Sequence, residues 1–193
     1  MLDRRTFLVK ERVAVIRLSD TYDILDPASG ATIGVAEERI GGALKALRLL
    51  INKRLLPTTV VIAESEGGAP ILTLKRGLGL LHSTVHVLDA RDRELGTLKS
   101  KLISIGGAFR VMNPDGAEVA SVSGDWISWN FTFTSTDGRV LGTVTRKWAG
   151  VGRELFTTAD NYIIALAPAE TSPTVTALLL AAGIAIDTLF KEK

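Results

Sequence analysis

The segment that decides the fold is SPTVTALLLAAGIAIDTLF, Ser172–Phe190, close to the end of this 193-residue chain. It is apolar on every side, and its charge-free run from Ala177 to Ile186 ends at Asp187. At ~1.5 Å per helical residue, the run covers roughly half of the ~30 Å hydrocarbon core of a bilayer. A helix that is too short to span a membrane and apolar all round must be enclosed by other parts of the protein. We therefore expect the rest of the chain to form the enclosure.

A repeated pattern precedes this segment: an alternating strand, a turn rich in Asp, Asn, Pro or Gly, and a second alternating strand. The four turns are Asp26–Gly30, Asp89–Glu94, Asn113–Gly116 and Ser135–Gly138. The pattern is typical of β-hairpins, because Gly adopts positive φ and Asn or Asp caps the turn. A small residue stands at a similar place in each second strand, which predicts a bend or a close approach of two backbones. These small residues are Gly34, Gly96, Ala120 and Gly142.

Further alternating stretches bring the number of predicted short strands to about a dozen. They lie at residues 6–10, 13–18, 58–64, 71–75, 80–86, 154–157 and 162–166. So many antiparallel strands must close or double over to hide their edges. We predict a mainly β fold, a closed antiparallel barrel of about twelve strands around the buried C-terminal helix. No linker-like stretch divides the chain, which predicts one domain over residues 1–193.

A second helix, amphipathic and basic, is predicted near residues 42–54. Apolar residues recur there at helical spacing, and Pro57 ends the helix; they are Ile40, Leu44, Leu47 and Ile51. A basic amphipathic helix can bind the anionic headgroups of a membrane surface. In the alternative and favoured interpretation, its apolar stripe closes one end of the barrel while its charges face water. The candidate lipid-binding residues are Arg39, Lys45, Arg48, Lys53 and Arg54.

Composition excludes several classes of function. The formal net charge is only +2, so we expect no nucleic-acid partner. The chain has no cysteine, which excludes disulfides, thiolate nucleophiles, cysteine–zinc sites and cysteine acylation. The first residues lack the pattern of a signal peptide. We therefore expect a cytoplasmic protein that is at most peripheral at the inner face of a membrane.

The chemical inventory does not assemble an active site. His82 and His86 lie on a predicted strand with no third ligand nearby except Asp89, so ordinary histidines are favoured over a metal site. No glycine-rich stretch precedes a helix in a phosphate-loop arrangement. We expect a protein that is not an enzyme and that has no cofactor.

Three tryptophans beside Arg and Lys either line a lipid- or ligand-facing rim or, as we favour, anchor packing. The residues assigned a structural role are Trp126, Trp129, Trp148, Leu179 and Ile184.

Several motifs resemble the phospholipid scramblase-related proteins, which belong with the LURP-one-related proteins and the Tubby C-terminal domain in one superfamily. The motifs are YDILDPASGATIGVAEE, LLPTTV, GDWISWNFTF, TRKWAG, RELFTTADNYIIALAP and TALLLAAGIAIDTLFKEK. The resemblance covers essentially the whole chain. It implies a twelve-stranded antiparallel barrel around a hydrophobic C-terminal helix, in agreement with the strand pattern.

The resemblance also implies a calcium loop, which is degenerate in this sequence. Thr158 stands where an acidic residue is expected, and the oxygen-bearing side chains that remain are Asp160, Asn161 and Glu170. A calcium site needs about six or seven oxygen ligands, so we expect no metal.

Two functions follow from the sequence. The first is a barrel that associates with lipid or an anionic membrane surface; the resemblance to the Tubby C-terminal domain implies phosphoinositide-type headgroups as one ligand. The alternative is a protein-interaction or structural scaffold with a protein partner and no lipid role. Phospholipid scrambling ranks third, because the terminal helix would have to leave the barrel.

Overall fold

The computed structural model describes residues 1–12, 19–41, 56–77, 84–100, 108–125, 127–146, 161–168 and 172–190. These residues form twelve β-strands and one α-helix, α1, which continues into a π-helical turn. The strands are β1 Thr6–Glu11, β2 Thr21–Leu25, β3 Thr32–Arg39, β4 Thr58–Ala63, β5 Pro70–Arg76, β6 Thr84–Asp89, β7 Glu94–Ser100, β8 Ala108–Met112, β9 Glu118–Asp125, β10 Asn130–Ser135, β11 Val140–Thr145 and β12 Asn161–Leu166. Helix α1 spans Pro173–Ala185, and the π-helical turn spans Ile186–Phe190.

The twelve strands form one closed antiparallel barrel. Each strand pairs with its neighbours in sequence, and β1 pairs with β12 to close the ring. The closing pair is in register over five residues, from Thr6 opposite Ala165 to Lys10 opposite Asn161. Closure leaves no strand edge open along this ring, which removes the usual site of edge-to-edge aggregation. The predicted closed antiparallel barrel is therefore confirmed.

The four repeated hairpins share one irregularity, which explains their small residues. In the β2–β3 hairpin, Gly34 is paired, but the next pair omits Ile33, so the register shifts by one residue. Gly96, Ala120 and Gly142 occupy the same place in the other three hairpins. A Cβ atom on Gly142 would lie only 2.6 Å from the carbonyl oxygen of Ala165 on β12. The predicted close approach of backbones is confirmed, and its cause is a β-bulge that bends the barrel wall.

Each bulge also supplies an apolar side chain to one end of the barrel. The β4–β5 hairpin, which the repeat did not include, carries the same one-residue shift. At each of these five shifts, the strand pairing skips one residue. The skipped residues pack against the core or belong to it, together with Met1, Leu2 and Val175. They are Ile33, Ile71, Leu95, Val119 and Leu141. This end of the barrel is therefore sealed by aliphatic side chains.

Helix α1 occupies the barrel interior. Ser172 caps it, because its Oγ accepts a hydrogen bond from the backbone N–H of Val175 at 3.3 Å. Pro173 follows in the first turn, where its missing N–H costs no hydrogen bond. Every side chain from Thr176 to Ala185 is buried. The predicted enclosure of the apolar segment is confirmed, and among the described residues no helix has the length and hydropathy that a bilayer span requires.

Three predicted elements lie outside the described residues: the strands at 13–18 and 154–157 and the amphipathic helix near 42–54. Of the strand predicted at 80–86, the described part, 84–86, belongs to β6, which continues to Asp89.

The antiparallel topology distributes the connections between two ends of the barrel. We call the end at which β12 finishes and α1 begins the entry end, and the opposite end, where α1 finishes, the exit end. The entry-end connections are 26–31, 64–69, 90–93, 113–117, 136–139 and 167–172. The exit-end connections are 12–20, 40–57, 77–83, 101–107, 126–129 and 146–160.

Candidate functional site

The connections at the two ends of the barrel differ in the formal net charge of their sequences. The six exit-end connections contain ten Lys or Arg and three Asp or Glu, a formal net charge of +7. The six entry-end connections contain three Arg and seven Asp or Glu, a formal net charge of −4. A total of +2 conceals this separation. Charge is therefore distributed unevenly along the sequence, between the connections that start and finish at one end of the barrel and those that start and finish at the other.

Apolar residues follow the same division. The exit-end connections contain 25 Val, Leu, Ile, Phe or Trp residues, including all three tryptophans of the chain. The entry-end connections contain no residue of these types and no Met or Tyr. A mixture of cations, aromatic rings and aliphatic side chains is the composition found at membrane–water interfaces. The exit end is therefore the candidate functional region.

The predicted lipid-binding residues are connected to this end. Arg39 is the last residue of β3, its side chain is about half exposed, and its guanidinium lies 3.7 Å from the Glu37 carboxylate. The other four, Lys45, Arg48, Lys53 and Arg54, lie outside the described residues. Their segment leaves the barrel at Arg39 and re-enters it at Thr58, and both points are at the exit end.

Inside the barrel, the lumen is apolar over most of its length and polar at the exit end. The alternation that directs Phe7 and Val9 inward also directs Glu11 inward at the end of β1. On several other strands, the inward-facing residue nearest the exit end also carries a polar group. These residues are Tyr22, Glu38, Thr58, Arg76, Ser100 and Tyr162.

Hydrogen bonds stabilise part of this polar ring. Glu38 is buried and accepts a hydrogen bond from the backbone N–H of Asp20 at 3.2 Å. Arg76 is also buried, and its Nη2 donates to Oγ1 of Thr58 at 3.3 Å. Buried charges need such partners, because an unsolvated ion is otherwise very costly.

Helix α1 brings a carboxylate into this polar region. Asp187, in the π-helical turn, is buried, and it interacts electrostatically with the hydroxyls of Tyr22 and Tyr162. Burial raises the pKa of Tyr22, and the Asp187 charge raises it further. Burial likewise raises the pKa of Tyr162, with Asp187 and Glu11 adding to the effect while Arg146 opposes it. Both phenols therefore stay protonated at physiological pH.

The Tyr162 hydroxyl is buried but accepts and donates no hydrogen bond among the described residues. Its ring packs edge-on against Trp129, with the centroids 6.0 Å apart. Trp129 is 2% exposed, and the Arg146 guanidinium covers its ring at 4.4 Å from the centroid. The stack joins the start of β12 to the β9–β10 hairpin at the exit end. Trp126 and Trp148 lie outside the described residues, whereas Leu179 and Ile184 are buried on α1.

The segment that resembles a calcium loop contains a regular strand. Asn161 is buried at the start of β12, opposite Lys10, and the strand runs to Leu166. At ~3.3 Å per residue, the strand separates its two ends by roughly 16 Å, whereas calcium ligands lie within ~2.6 Å of the ion. Asp160 and Glu170 lie outside the described residues. Within the described ranges, no group of three His, Asp or Glu side chains is arranged to hold a metal ion.

The histidines do not converge on a site in the described part of the chain. His86 is half exposed on β6, and its Nδ1 lies 2.7 Å from the Glu94 carboxylate on β7. His82 lies outside the described residues.

The sequence alone did not identify the exit end as a unit, nor did it single out Ile127, Tyr162 or Glu38. The exit end could have been found by counting the predicted strands, because every second connection of an up-and-down barrel lies at the same end. Ile127, at the tip of the β9–β10 hairpin, is 97% exposed. No sequence pattern distinguishes an exposed Ile between two tryptophans from a buried one.

Comparison with known proteins identifies the family of this chain. The family model described as Scramblase matches residues 11–193. A curated relative, altered inheritance rate of mitochondria protein 25 of Saccharomyces cerevisiae, is 22% identical over 194 aligned residues. The alignment covers 85% of this chain but only 59% of the yeast protein, so the chain spans about three fifths of its relative's length. No solved structure matches. The match over nearly the whole chain places this protein in the Scramblase family.

Proposed function

We propose that this protein is a non-catalytic lipid-associated barrel that docks on an anionic membrane surface through its exit end. The observation that carries the proposal is the division of charged and apolar residues between the two ends. A net charge of +7 and 25 large apolar residues on one set of connections suit a negatively charged, partly apolar surface. The connections of the opposite end are acidic and contain no large apolar residue, which suits contact with water.

The occupation of the lumen by α1 favours docking over lipid uptake. Helix α1 fills the barrel axis, and protein interiors pack at a density of about 0.75. An acyl chain inside the lumen would have to displace α1, whose side chains from Thr176 to Ala185 are buried. Binding at the outer surface of the exit end requires no such displacement.

Co-sedimentation with vesicles tests the proposal. Vesicles of phosphatidylcholine with about 30 mol % phosphatidylserine are compared with phosphatidylcholine alone, at low and high salt. We expect pelleting with the anionic vesicles that weakens as salt shortens the Debye length from about 30 Å to 3 Å. Absence of anion-dependent pelleting at low salt would refute the proposal.

A matched pair of variants assigns the binding to one end. Replacing Lys45, Arg48, Lys53 and Arg54 with Gln removes four cations from an exit-end connection. At about 1 kcal/mol for each cation near an anionic surface, binding should weaken by at least tenfold even if only two of them approach it. The control replaces Arg91, Arg93 and Arg139, which lie on entry-end turns, with Gln. Equal loss in both variants would contradict docking through the exit end.

A further inference from the structure

We propose that the β9–β10 hairpin is a preformed membrane-inserting tip and that Ile127 is the side chain that enters the bilayer. This inference rests on the proposed docking through the exit end and names the contact by which it occurs. Its first support is exposure: Ile127 is 97% exposed, and the other exposed large hydrophobic residue among those described, Val140, is 50% exposed. An aliphatic side chain that is fully exposed at the apex of a tight hairpin buries no apolar surface, so it contributes no hydrophobic free energy to the stability of the barrel.

The second support is that hydrogen bonds fix the conformation of the tip. The Asp125 carboxylate accepts a hydrogen bond from the backbone N–H of Ile127 at 2.8 Å and from that of Ser128 at 3.2 Å. These bonds lower the pKa of Asp125, the Ile127 bond contributing most, so the carboxylate is charged at physiological pH. An Asp that caps a turn in this way holds the apex in one conformation.

The third support is the anchor at the base of the hairpin. Trp129 adopts a left-handed backbone conformation, with φ of +50°, and its indole is buried. The ring packs edge-on against Phe131 at 5.6 Å and against Tyr162 at 6.0 Å, and Arg146 covers it. Because the core secures the base while Asp125 caps the apex, insertion requires little ordering of the tip.

The fourth support is charge complementarity, which identifies a lipid bilayer as the surface that receives the tip. The hairpin lies at the end whose connections carry a net charge of +7, and the Arg146 side chain is adjacent to its base. Anionic headgroups match these cations, and the acyl region beneath them matches Ile127.

A fluorescent probe at position 127 tests the insertion directly. The chain has no cysteine, so Ile127→Cys and Val140→Cys each carry a single environment-sensitive label. Val140 begins β11 at the entry end and is the matched control. With the anionic vesicles, we expect a several-fold increase in emission at 127, quenched by spin labels on the acyl chains, and no change at 140.

A partition measurement gives the energetic contribution. Full burial of an Ile side chain corresponds to a roughly 10- to 100-fold effect on partition. We therefore expect Ile127→Ser to weaken vesicle binding by about tenfold or more, and Val140→Ser to leave it unchanged. Because Ile127 packs against nothing, the variant should retain the thermal stability of the wild type.

The outcomes separate this inference from the function on which it rests. If the wild type binds the vesicles but the probe at 127 stays in a water-like environment, the tip does not insert and exit-end docking stands. If the probe responds to a purified protein partner but not to vesicles, the tip is a protein contact and the inference is wrong. If the wild type does not bind the vesicles, both proposals are wrong.

Discussion

Replacing Ile184 with Asp gives the sharpest perturbation of the enclosed helix. Ile184 lies near the end of α1 and is 0% exposed. Truncating a fully buried Ile to Ala costs about 2–5 kcal/mol, because the lost transfer free energy is joined by the energy of the cavity. An Asp at this position adds the cost of burying a carboxylate without a designed partner, which is several kcal/mol more. The sum is comparable with the whole stability of a typical domain, about 5–15 kcal/mol.

The measurement is equilibrium unfolding in urea, followed by tryptophan fluorescence and by far-ultraviolet circular dichroism. Ile184→Val should lower the free energy of unfolding by about 0.5–1.5 kcal/mol and Ile184→Ala by about 2–5 kcal/mol. Ile184→Asp should leave no cooperative transition, and Leu179→Asp, at a residue that is 1% exposed, should do the same.

Thr174→Asp is the matched control on the same helix. Thr174 is exposed in the first turn of α1, where a negative charge interacts favourably with the helix dipole. We expect a change within about 0.5 kcal/mol, in the stabilising direction. A soluble Ile184→Asp protein that unfolds cooperatively at the wild-type urea midpoint would refute the enclosure of α1.

Four further predictions test other parts of the structure. Gly183→Ala should lower the free energy of unfolding by about 1–3 kcal/mol, measured in urea, since the new Cβ would lie 2.5 Å from Cδ1 and 2.7 Å from Cγ1 of Ile164; wild-type stability would show that α1 is not seated against β12. Tyr162→Phe should be neutral or stabilising by up to about 1 kcal/mol, because it removes a buried hydroxyl that makes no hydrogen bond among the described residues. For both Tyr22 and Tyr162 the pKa in the folded protein lies above the usual tyrosine value of about 10, so their contribution to stability is complete below about pH 9 and declines as the pH rises and the unfolded chain ionises. The decline is about 1.4 kcal/mol per pH unit per tyrosine, and Tyr162→Phe should halve this slope in urea titrations between pH 10 and 11; an unchanged slope would place the Tyr162 hydroxyl in water. In vesicles with a fluorescent lipid, dithionite should quench only the outer leaflet in the presence of the protein, because α1 stays in the lumen; quenching of the inner leaflet would revive phospholipid scrambling as the function.

Much of the fold was accessible from the sequence because its repeats are local. The turn at Asn113–Gly116 and the small residue Ala120 lie within one hairpin, so residue type alone indicates both the reversal and the close approach. The all-round apolar character of α1 required an enclosure, and about a dozen strands supplied it. The sequence did not show that the residues skipped by the strand pairing, such as Val119, close the entry end. That result depends on the pairing register.

The candidate site was less accessible because it is assembled from distant parts of the chain. The sequence singled out the basic residues of one predicted amphipathic helix near 42–54, together with Arg39 just before it, which is a local pattern. The exit end as a whole joins connections from residue 12 to residue 160, and only the strand topology shows that they share an end. The polar ring was missed for the same reason: Glu11 and Arg76 look like ordinary strand ends until closure of the barrel directs them into one lumen.

Amide hydrogen exchange along α1, in water without lipid, tests the enclosure of this helix most directly. The amide hydrogens of a helix within a closed ring of strands exchange only through global unfolding. The amides of Leu178–Ala185 should therefore be protected as strongly as those of β1 and β12. Rapid exchange of these amides in water, with protection appearing only when vesicles are added, would show that the apolar segment belongs to the membrane and not to the barrel.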